Sequence, residues 1–235
     1  INENCGSTDI ELLKKAVAKY EADFGLALDG DGDRLIFIGK DLNEIDGDQI
    51  LYILAKEKFQ HNIYLGTKGV VGTTMSNQGL VDALNDIDIE LVRSDVGDRN
   101  VFEKLKELGW ELGGEQSGHI ICLDSAITGD AIISSIKFLD AIDFSFKIFE
   151  EKIKGFIKYP QILRNIKTKN PNKILKNKKF NDLKKKCENE IKRNGRINVR
   201  KSGTESLVRI MVESNDSLIT KSISDKLENL AKNLS

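Results

Sequence analysis

Cysteine is scarce in this chain of 235 residues, and the positions of the cysteines argue against a disulfide framework and against a structural zinc site. The three cysteines, Cys5, Cys122 and Cys187, are far apart, and no two of them form a C-x-x-C pair. A disulfide framework needs an even set of cysteines, and a structural zinc site needs closely spaced ones. We therefore expect neither feature, and we expect a reducing, cytoplasmic location.

Long apolar runs are also missing. A membrane-spanning helix needs about 20 consecutive apolar residues, and no segment approaches that length. The first residues do not form a leader with a charged start and an apolar core. We therefore expect no membrane partner. Because the sequence begins at Ile1 and has no start-like feature, we also expect it to be a piece of a longer protein.

Acidic residues are scarce between positions 152 and 201, although the net charge of the whole chain is only −1. This stretch holds 18 Lys and Arg against three Asp and Glu. Binding to nucleic acid needs stacking aromatics or an element that enters a groove. Only Phe156, Tyr159 and Phe180 are aromatic here, so solvated lysine faces are the favoured interpretation and we expect no nucleic-acid partner.

Hydrophobic periodicity predicts alternating helices and strands. Helices are predicted over 7–22, 46–59, 76–86, 99–109, 129–142 and 181–193 and at the carboxyl end, and strands over 24–28, 35–39, 69–75, 89–94, 119–123, 196–200 and 207–213. The periodicity blurs between Phe144 and Pro160, where we expect a linker. The predicted fold class is α/β, with mixed, mainly parallel α/β domains followed by a small α+β carboxyl-terminal domain.

The segment LALDGDGDRLIFIG places Asp29, Asp31 and Asp33 at alternate positions between two predicted strands. A calcium EF-hand does not fit, because Arg34 and Lys40 stand where its glycine and glutamate belong. A solvated hairpin turn remains an alternative, although such a turn needs only one Asp-Gly pair. Three carboxylates in so small a loop repel one another unless a cation neutralises them, which favours a hard, oxygen-preferring ion such as Mg²⁺.

Two further loops carry polar groups. In RKSGTES, Arg200 offers a guanidinium, and Ser202 and Thr204 offer two hydroxyl groups between two predicted strands. This set suits an oxyanion, although an ordinary hairpin has the same residue types. GGEQSGH exposes a glutamate, a serine and a histidine that can bond hydroxyl groups, although a lone surface histidine is the simpler alternative. The nucleotide-binding pattern G-x-x-x-x-G-K-[ST] does not occur in the sequence.

Eight segments stand in an order and spacing that resemble the phosphohexomutase family over nearly the whole chain. They are INENCGST, DGDGDR, DGDQI, VVGTTMSNQGL, VGDRNVFE, GGEQSGH, TGDAI and RKSGTESLVRIMVE. DGDGDR and the loop that carries Glu115 are the most specific markers. Gln116, together with TMSN and VGDR, favours the branch of the family that acts on glucosamine phosphates over those that act on glucose and mannose phosphates.

The resemblance implies a role for each matching residue. It implies that Mg²⁺ is bound by Asp29, Asp31 and Asp33 and that Arg34 assists at the phosphoryl group. It implies that the sugar is contacted by Glu115, Ser117 and His119, and that Asp98 and Arg99 face the cleft. It also implies that the phosphate that is not transferred is held by Arg200, Ser202, Gly203 and Thr204. Lys201 and Ser206 depart from the family pattern, because proline usually stands there. We expect this change to loosen the loop without removing a ligand.

Family members have four domains around one cleft, and the resemblance implies the end of the second over 1–41, the third over 42–152 and the fourth over 153–235. Their partners are a phosphosugar and a sugar bisphosphate intermediate, with a phosphoserine of the first domain as phosphoryl donor. The loop of that serine is not found among these 235 residues, so we expect the isolated chain to be inactive. A homodimer remains open, as do two alternatives: a mutase of glucose or mannose phosphates, and a non-catalytic module that binds phosphosugars or nucleic acid.

Overall fold

The computed structural model describes residues 3–60, 69–202 and 205–235. The chain divides into two compact units, unit 1 with residues 1–76 and 80–157, and unit 2 with residues 77–79 and 158–235. The strands are β1 (Phe24–Leu28), β2 (Leu35–Gly39), β3 (Glu44–Ile45), β4 (Gly69–Thr73), β5 (Glu90–Ser94), β6 (Leu112–Gly114), β7 (Ile120–Cys122), β8 (Gln161–Lys167), β9 (Gly195–Lys201) and β10 (Leu207–Ser214). The helices are α1 (Glu11–Tyr20), α2 (Gly47–Gln60), α3 (Gln78–Asn85), α4 (Asp98–Leu108), α5 (Ala131–Ala141), α6 (Phe146–Ile153), α7 (Pro171–Leu175), α8 (Lys178–Ile191) and α9 (Ser217–Leu234).

The described residues of unit 1 form two sheets. The first has the strand order β1-β2-β3 and is antiparallel throughout. The second has the order β5-β4-β6-β7, in which β4 is parallel to both neighbours and β7 is antiparallel to β6. The mixed α/β class predicted from the sequence is therefore confirmed, with helices between the parallel strands as such connections require.

A cluster of phenylalanine rings lies in the core of unit 1. The ring centroids of Phe37 on β2 and Phe138 on α5 are 4.7 Å apart, and Phe24 on β1 meets both rings nearly edge-on. Phe146 and Phe149 complete the cluster from α6. Edge-to-face ring contacts of this kind stabilise a core beyond the burial of apolar area.

The predicted linker between residues 144 and 160 is wrong over its first half, because α6 occupies it. The Ser145 side chain caps this helix by accepting a hydrogen bond from the backbone nitrogen of Ile148. Phe146 and Phe149 are 3% and 6% exposed, so one face of the helix is buried in the phenylalanine cluster. Eight residues with only one apolar face give too short a periodic signal for detection from the sequence.

Unit 2 is a three-stranded antiparallel sheet with the order β8-β10-β9, and α8 and α9 pack on it. The sequence predicted β9, β10 and α9, but β8 and α7 were not assigned. The predicted basic helix begins earlier than expected, at Lys178, and ends at Ile191, where a short 3-10 turn leads to Gly195. Glu213 on β10 is fully buried and bonds Arg196 on β9 and Gln161 on β8, which ties the three strands together.

All three cysteines belong to the described part of the chain, and all three are free thiols, as expected from their spacing. Among the residues that the structure describes, no helix combines the length and apolar character needed to cross a bilayer.

Candidate functional site

The aspartate hairpin, residues 29–34, connects β1 to β2. The two strands pair up to Leu28 opposite Leu35, so the six residues between them form the turn. Asp29 organises it, because its Oδ1 accepts hydrogen bonds from the backbone nitrogens of Asp33 at 3.2 Å and Arg34 at 3.1 Å. Gly32 has φ +73°, a left-handed conformation that glycine adopts without strain.

This turn gathers the three predicted metal ligands. One carboxylate oxygen from each of Asp29, Asp31 and Asp33 lies within 4.8 Å of the other two. Burial and the neighbouring carboxylates raise the pKa of Asp33, even though His119 opposes the shift. Burial also acts to raise the pKa of Asp29, but the hydrogen bonds that its carboxylate accepts from the backbone amides of Arg34 and Asp33, together with the Arg34 guanidinium, outweigh it and lower that pKa. Ionised carboxylates this close to one another repel, and a bound cation would offset the repulsion.

The donor set fits a hard divalent cation. Carboxylate oxygens are the ligands that Mg²⁺ and Ca²⁺ prefer in proteins. The Oδ1 atom of Asp33 is buried and has no hydrogen-bond partner among the described residues, which is costly for an oxygen that bears negative charge. A cation held between the three side chains would satisfy it.

The glutamate loop, residues 115–119, connects β6 to β7. The strands pair up to Gly114 opposite Ile120, and the Glu115 backbone nitrogen donates to the His119 oxygen at 2.9 Å. Gly118 has φ +93°, and a Cβ atom there would lie 2.0 Å from the backbone oxygen of Leu35. Only glycine fits this position, because the loop approaches the backbone of β2 so closely.

Several contacts join the aspartate hairpin and the start of β2 to other parts of unit 1. The Leu35 nitrogen donates to the Gly118 oxygen at 3.1 Å, and the Ala131 nitrogen at the start of α5 donates to the Gly32 oxygen at 3.0 Å. His119 Nδ1 lies 3.1 Å from Asp33 Oδ2. Thus the structure brings together the aspartate hairpin and the glutamate loop, which lie more than 80 residues apart in the sequence.

The other predicted residues of unit 1 differ in their exposure. Glu115 is partly exposed, and its Oε1 accepts a hydrogen bond from the Gly97 nitrogen at 2.9 Å, which brings the start of α4 to the glutamate loop. Ser117 and Asp98 are exposed. The Arg99 guanidinium pairs with Glu103 at 2.7 Å on an exposed face of α4, so in this conformation it is occupied within its own helix.

The sequence analysis did not assign a role to the DGDQ segment. The structure gives it one, because the Asp46 and Gln49 side chains each accept a hydrogen bond from the other's backbone nitrogen at 3.2 Å and so form a reciprocal cap of α2. Gln116 Nε2 donates to Asp46 Oδ2 at 3.3 Å, and the Gly47 nitrogen donates to the Gln116 oxygen at 3.1 Å. Gln116 therefore anchors the glutamate loop to α2. A cap pattern followed by an apolar run was the available sequence signal.

The RKSGTES loop, residues 200–206, belongs to unit 2. Gly203 and Thr204 lie outside the described residues. Ser202 is 2% exposed, its nitrogen donates to the Leu207 oxygen at 3.0 Å, and its Oγ accepts from the Glu205 nitrogen at 3.3 Å. Ser202 therefore shapes the turn in this conformation.

Arg200 lies on β9 directly opposite Arg209 on β10. Like charges in facing positions of two strands repel, and an anion between them would relieve the repulsion. The sequence analysis missed Arg209, because the facing register of the two strands is not visible in the loop itself. Arg209 also pairs with Glu205 at 3.0 Å.

Comparison with known proteins identifies relatives over most of the chain. The model of the phosphoglucomutase/phosphomannomutase alpha/beta/alpha domain III matches residues 46–159, and the model of the carboxyl-terminal domain of the same proteins matches residues 163–230. The chain is 42% identical over 232 residues to a phosphoglucosamine mutase of Photorhabdus laumondii, which covers 99% of the chain and 52% of the relative. It is 46% identical over 218 residues to phosphoglucosamine mutase 2 of Shewanella frigidimarina, which covers 92% and 48%.

A solved structure shares the fold. The N-acetylphosphoglucosamine mutase of Aspergillus fumigatus, in complex with GlcNAc-6P and magnesium, superposes with a TM-score of 0.74 at 18% identity and covers 97% of this chain and 56% of that one. The chain thus spans about half the length of the curated relatives that it matches. Since the two family models together match most of the chain, and the relatives over 40% identical match nearly all of it, the chain belongs to the phosphoglucomutase/phosphomannomutase family of phosphohexomutases.

Proposed function

We propose that this chain is part of a mutase that interconverts glucosamine 6-phosphate and glucosamine 1-phosphate. The observation that carries the proposal is the joining of three clustered carboxylates to the glutamate loop through the contact between His119 and Asp33. The relatives named phosphoglucosamine mutase support the choice of substrate, and the Aspergillus fumigatus relative that was solved with GlcNAc-6P and magnesium supports the ligand classes.

Each part of unit 1 has a separate task in this proposal. Asp29, Asp31 and Asp33 hold Mg²⁺, which when bound supplies positive charge where a phosphoryl group is transferred. Arg34 has an exposed side chain beside the hairpin and is free to orient a phosphoryl oxygen once a ligand competes with Asp29, which it meets at 3.5 Å. Glu115 and Ser117 bond sugar hydroxyl groups and fix the orientation of the ring.

The phosphate that is not transferred is held in unit 2. We assign this task to Arg200, Ser202, Gly203 and Thr204, and we add Arg209 because it faces Arg200 across the strands. Two guanidinium groups in facing positions match the several oxygens of a phosphate better than one does. The positive balance of residues 152–201 would also attract a sugar bisphosphate.

The proposal also covers the domain bounds, the cellular location and the position of the phosphoryl-carrying serine. We propose that residues 1–41 end a second domain, that residues 42–152 form a third and 153–235 a fourth, and that the enzyme works in the cytoplasm. We also propose that the serine that carries the phosphoryl group stands outside these 235 residues. A homodimer stays an open alternative to a monomer, and light scattering after size exclusion distinguishes the two.

The test is turnover in a joined protein. The chain is fused behind the amino-terminal half of the Photorhabdus laumondii relative, and the conversion of glucosamine 6-phosphate, glucose 6-phosphate and mannose 6-phosphate is followed by phosphorus NMR with Mg²⁺ and the matching bisphosphate. The proposal predicts the highest kcat/KM for the glucosamine phosphate. A preference for glucose or mannose phosphate would contradict the substrate, and a folded fusion without any conversion would contradict the activity.

The contribution of Glu115 is measured in the same fusion protein with a matched pair of variants. Glu115→Gln keeps an oxygen that accepts from the Gly97 nitrogen but removes the charge, whereas Glu115→Ala removes both. If the carboxylate bonds sugar hydroxyl groups, both variants lose kcat/KM by about 10-fold or more while their melting temperatures stay near that of the parent protein. A variant that unfolds, with normal kinetics in its folded fraction, would make Glu115 structural.

A further inference from the structure

His119 does not face outward from the glutamate loop as a sugar ligand would. The residue is 3% exposed, and its Nδ1 lies 3.1 Å from Asp33 Oδ2. Since a carboxylate oxygen accepts hydrogen bonds, Nδ1 is the ring nitrogen that carries the donated proton. The side chain is thus directed at the aspartate hairpin.

The backbone on both sides holds the imidazole ring in this orientation. His119 forms an antiparallel bridge with Arg34 of the hairpin, and the oxygen of Gly118 before it accepts a hydrogen bond from the Leu35 nitrogen at 3.1 Å. On the far side, a Cβ atom at Gly129 would lie 2.3 Å from His119 Nε2 and 2.5 Å from Cε1. The ring therefore packs against the bare backbone of Gly129, and turning it would require that segment to move.

The two carboxylate oxygens of Asp33 have different surroundings. Oδ2 is held by His119, whereas Oδ1 is buried and meets no hydrogen-bond partner in the part of the chain that the structure describes. A carboxylate that is hydrogen-bonded through one oxygen presents the other oxygen in a fixed direction. Ligands of metal ions are commonly oriented in this way by a second residue that does not touch the metal.

We propose that His119 is a positioning residue that orients the Asp33 carboxylate toward the divalent cation, and that it does not contact the sugar. This inference rests on the metal site of the proposed function and gives His119 a different task from the one that the family resemblance implies. His119 belongs to the glutamate loop and bonds Asp33 of the hairpin, so a movement of the loop would also move the Asp33 carboxylate.

Calorimetric titration of the 235-residue chain with Mg²⁺ alone tests the inference without any turnover. We expect His119→Ala to weaken Mg²⁺ binding by about 10- to 100-fold. His119→Asn carries an amide N–H near the position of Nδ1, so it should recover part of the affinity. Gly129→Ala should also weaken binding, because its methyl group displaces the intact ring. Thr128→Ala, directly before Gly129 but exposed, is the matched control and should bind Mg²⁺ like the wild type.

The outcomes separate the inference from the function on which it rests. Equal Mg²⁺ affinity for the wild type and a folded His119→Ala or Gly129→Ala chain would overturn the role of His119 alone. A loss of glucosamine 6-phosphate binding with unchanged Mg²⁺ affinity would do so as well, and would make His119 a sugar ligand. Absence of saturable Mg²⁺ binding by the wild type would overturn the metal site itself. Melting temperatures, measured for every variant, identify any chain that has unfolded.

Discussion

At the scale of the residue, the sequence reveals the candidate site only where its members are close along the chain. Asp29, Asp31 and Asp33 stand within five positions, so their convergence follows from the turn that two glycines permit. The direction of His119 does not follow in this way, because it depends on how closely the glutamate loop approaches β2. Arg209 was missed for a similar reason, since its place opposite Arg200 depends on strand register.

The three thiols give a prediction about single residues. Cys5 is exposed, whereas Cys122 and Cys187 are buried. Burial raises the pKa of Cys122 to about 11, and it also raises the pKa of Cys187. Because the thiolate is the reactive form, iodoacetamide at pH 8 should label Cys5 in the native chain at least 10-fold faster than the other two.

Peptide mass spectrometry after short labelling measures these rates, and the chain unfolded in urea is the control in which all three cysteines should react. Labelling of native Cys122 at the rate of Cys5 would contradict the buried position of β7.

At the scale of the element, the long periodic helices and the strands beside the aspartate hairpin were predictable, whereas short elements were not. α6 was missed because its burial depends on phenylalanine rings from β1 and α5, which no local pattern reveals. The cap of α2 was recognisable from the sequence, because Asp46 and Gln49 form a known local pattern. The hydrogen bond from Gln116 to Asp46 joins distant parts of the chain, so it became visible only in the structure.

The close approach between the glutamate loop and β2 predicts a large difference between two glycine substitutions. Gly118→Ala imposes left-handed strain and a contact of 2.0 Å with the Leu35 oxygen. Gly32→Ala imposes similar strain, but a Cβ atom there would meet no atom of the described residues within 4 Å. We expect Gly118→Ala to lower the free energy of unfolding by about 2–4 kcal/mol and Gly32→Ala by about 1 kcal/mol.

Urea denaturation followed by circular dichroism measures both losses. Equal, small losses for the two variants would show that the loop does not lie against β2 as described.

An ion cluster on unit 1 gives a prediction about pH. Lys58 bonds Glu111 at 2.8 Å and Asp124 at 2.9 Å, and Lys137 bonds Asp124 at 2.9 Å. Burial acts to raise the pKa of Asp124, but the hydrogen bonds from the two lysines lower it to about 2. A carboxyl whose pKa is lowered on folding stabilises the fold above its ordinary pKa near 4, and that contribution is lost as pH falls toward 2.

Asp124→Asn should therefore unfold at lower urea concentration than the wild type at pH 7, and the difference should shrink between about pH 4 and pH 2. Lys58, Asp124 and Lys137 line a depression of about 310 Å³ on the surface, and Asp140, which is exposed, lines it too. Asp140→Asn is therefore the matched control. A difference that persists unchanged at pH 2 would exclude the ion cluster as its cause.

At the scale of the whole molecule, the order of eight motifs carried more information than composition or periodicity. Composition excluded a disulfide framework and favoured solvated lysine faces, but it did not distinguish an enzyme from a binding module. The family match over residues 46–159 and 163–230 does not depend on the aspartate hairpin, which lies before both ranges. The clustered carboxylates are therefore an independent feature that agrees with the family.

The central claim is a division of tasks, with cation, sugar and phosphate contacts in these residues and the phosphoryl-carrying serine elsewhere. The most direct test compares glucosamine 6-phosphate conversion by the 235-residue chain, by the fusion with the amino-terminal half of the Photorhabdus laumondii relative, and by that fusion with Asp31→Asn. The account predicts no conversion by the chain alone, conversion by the fusion, and a loss of at least about 100-fold on removing one metal ligand. Robust conversion by the chain alone, in a preparation free of host enzyme, would contradict it.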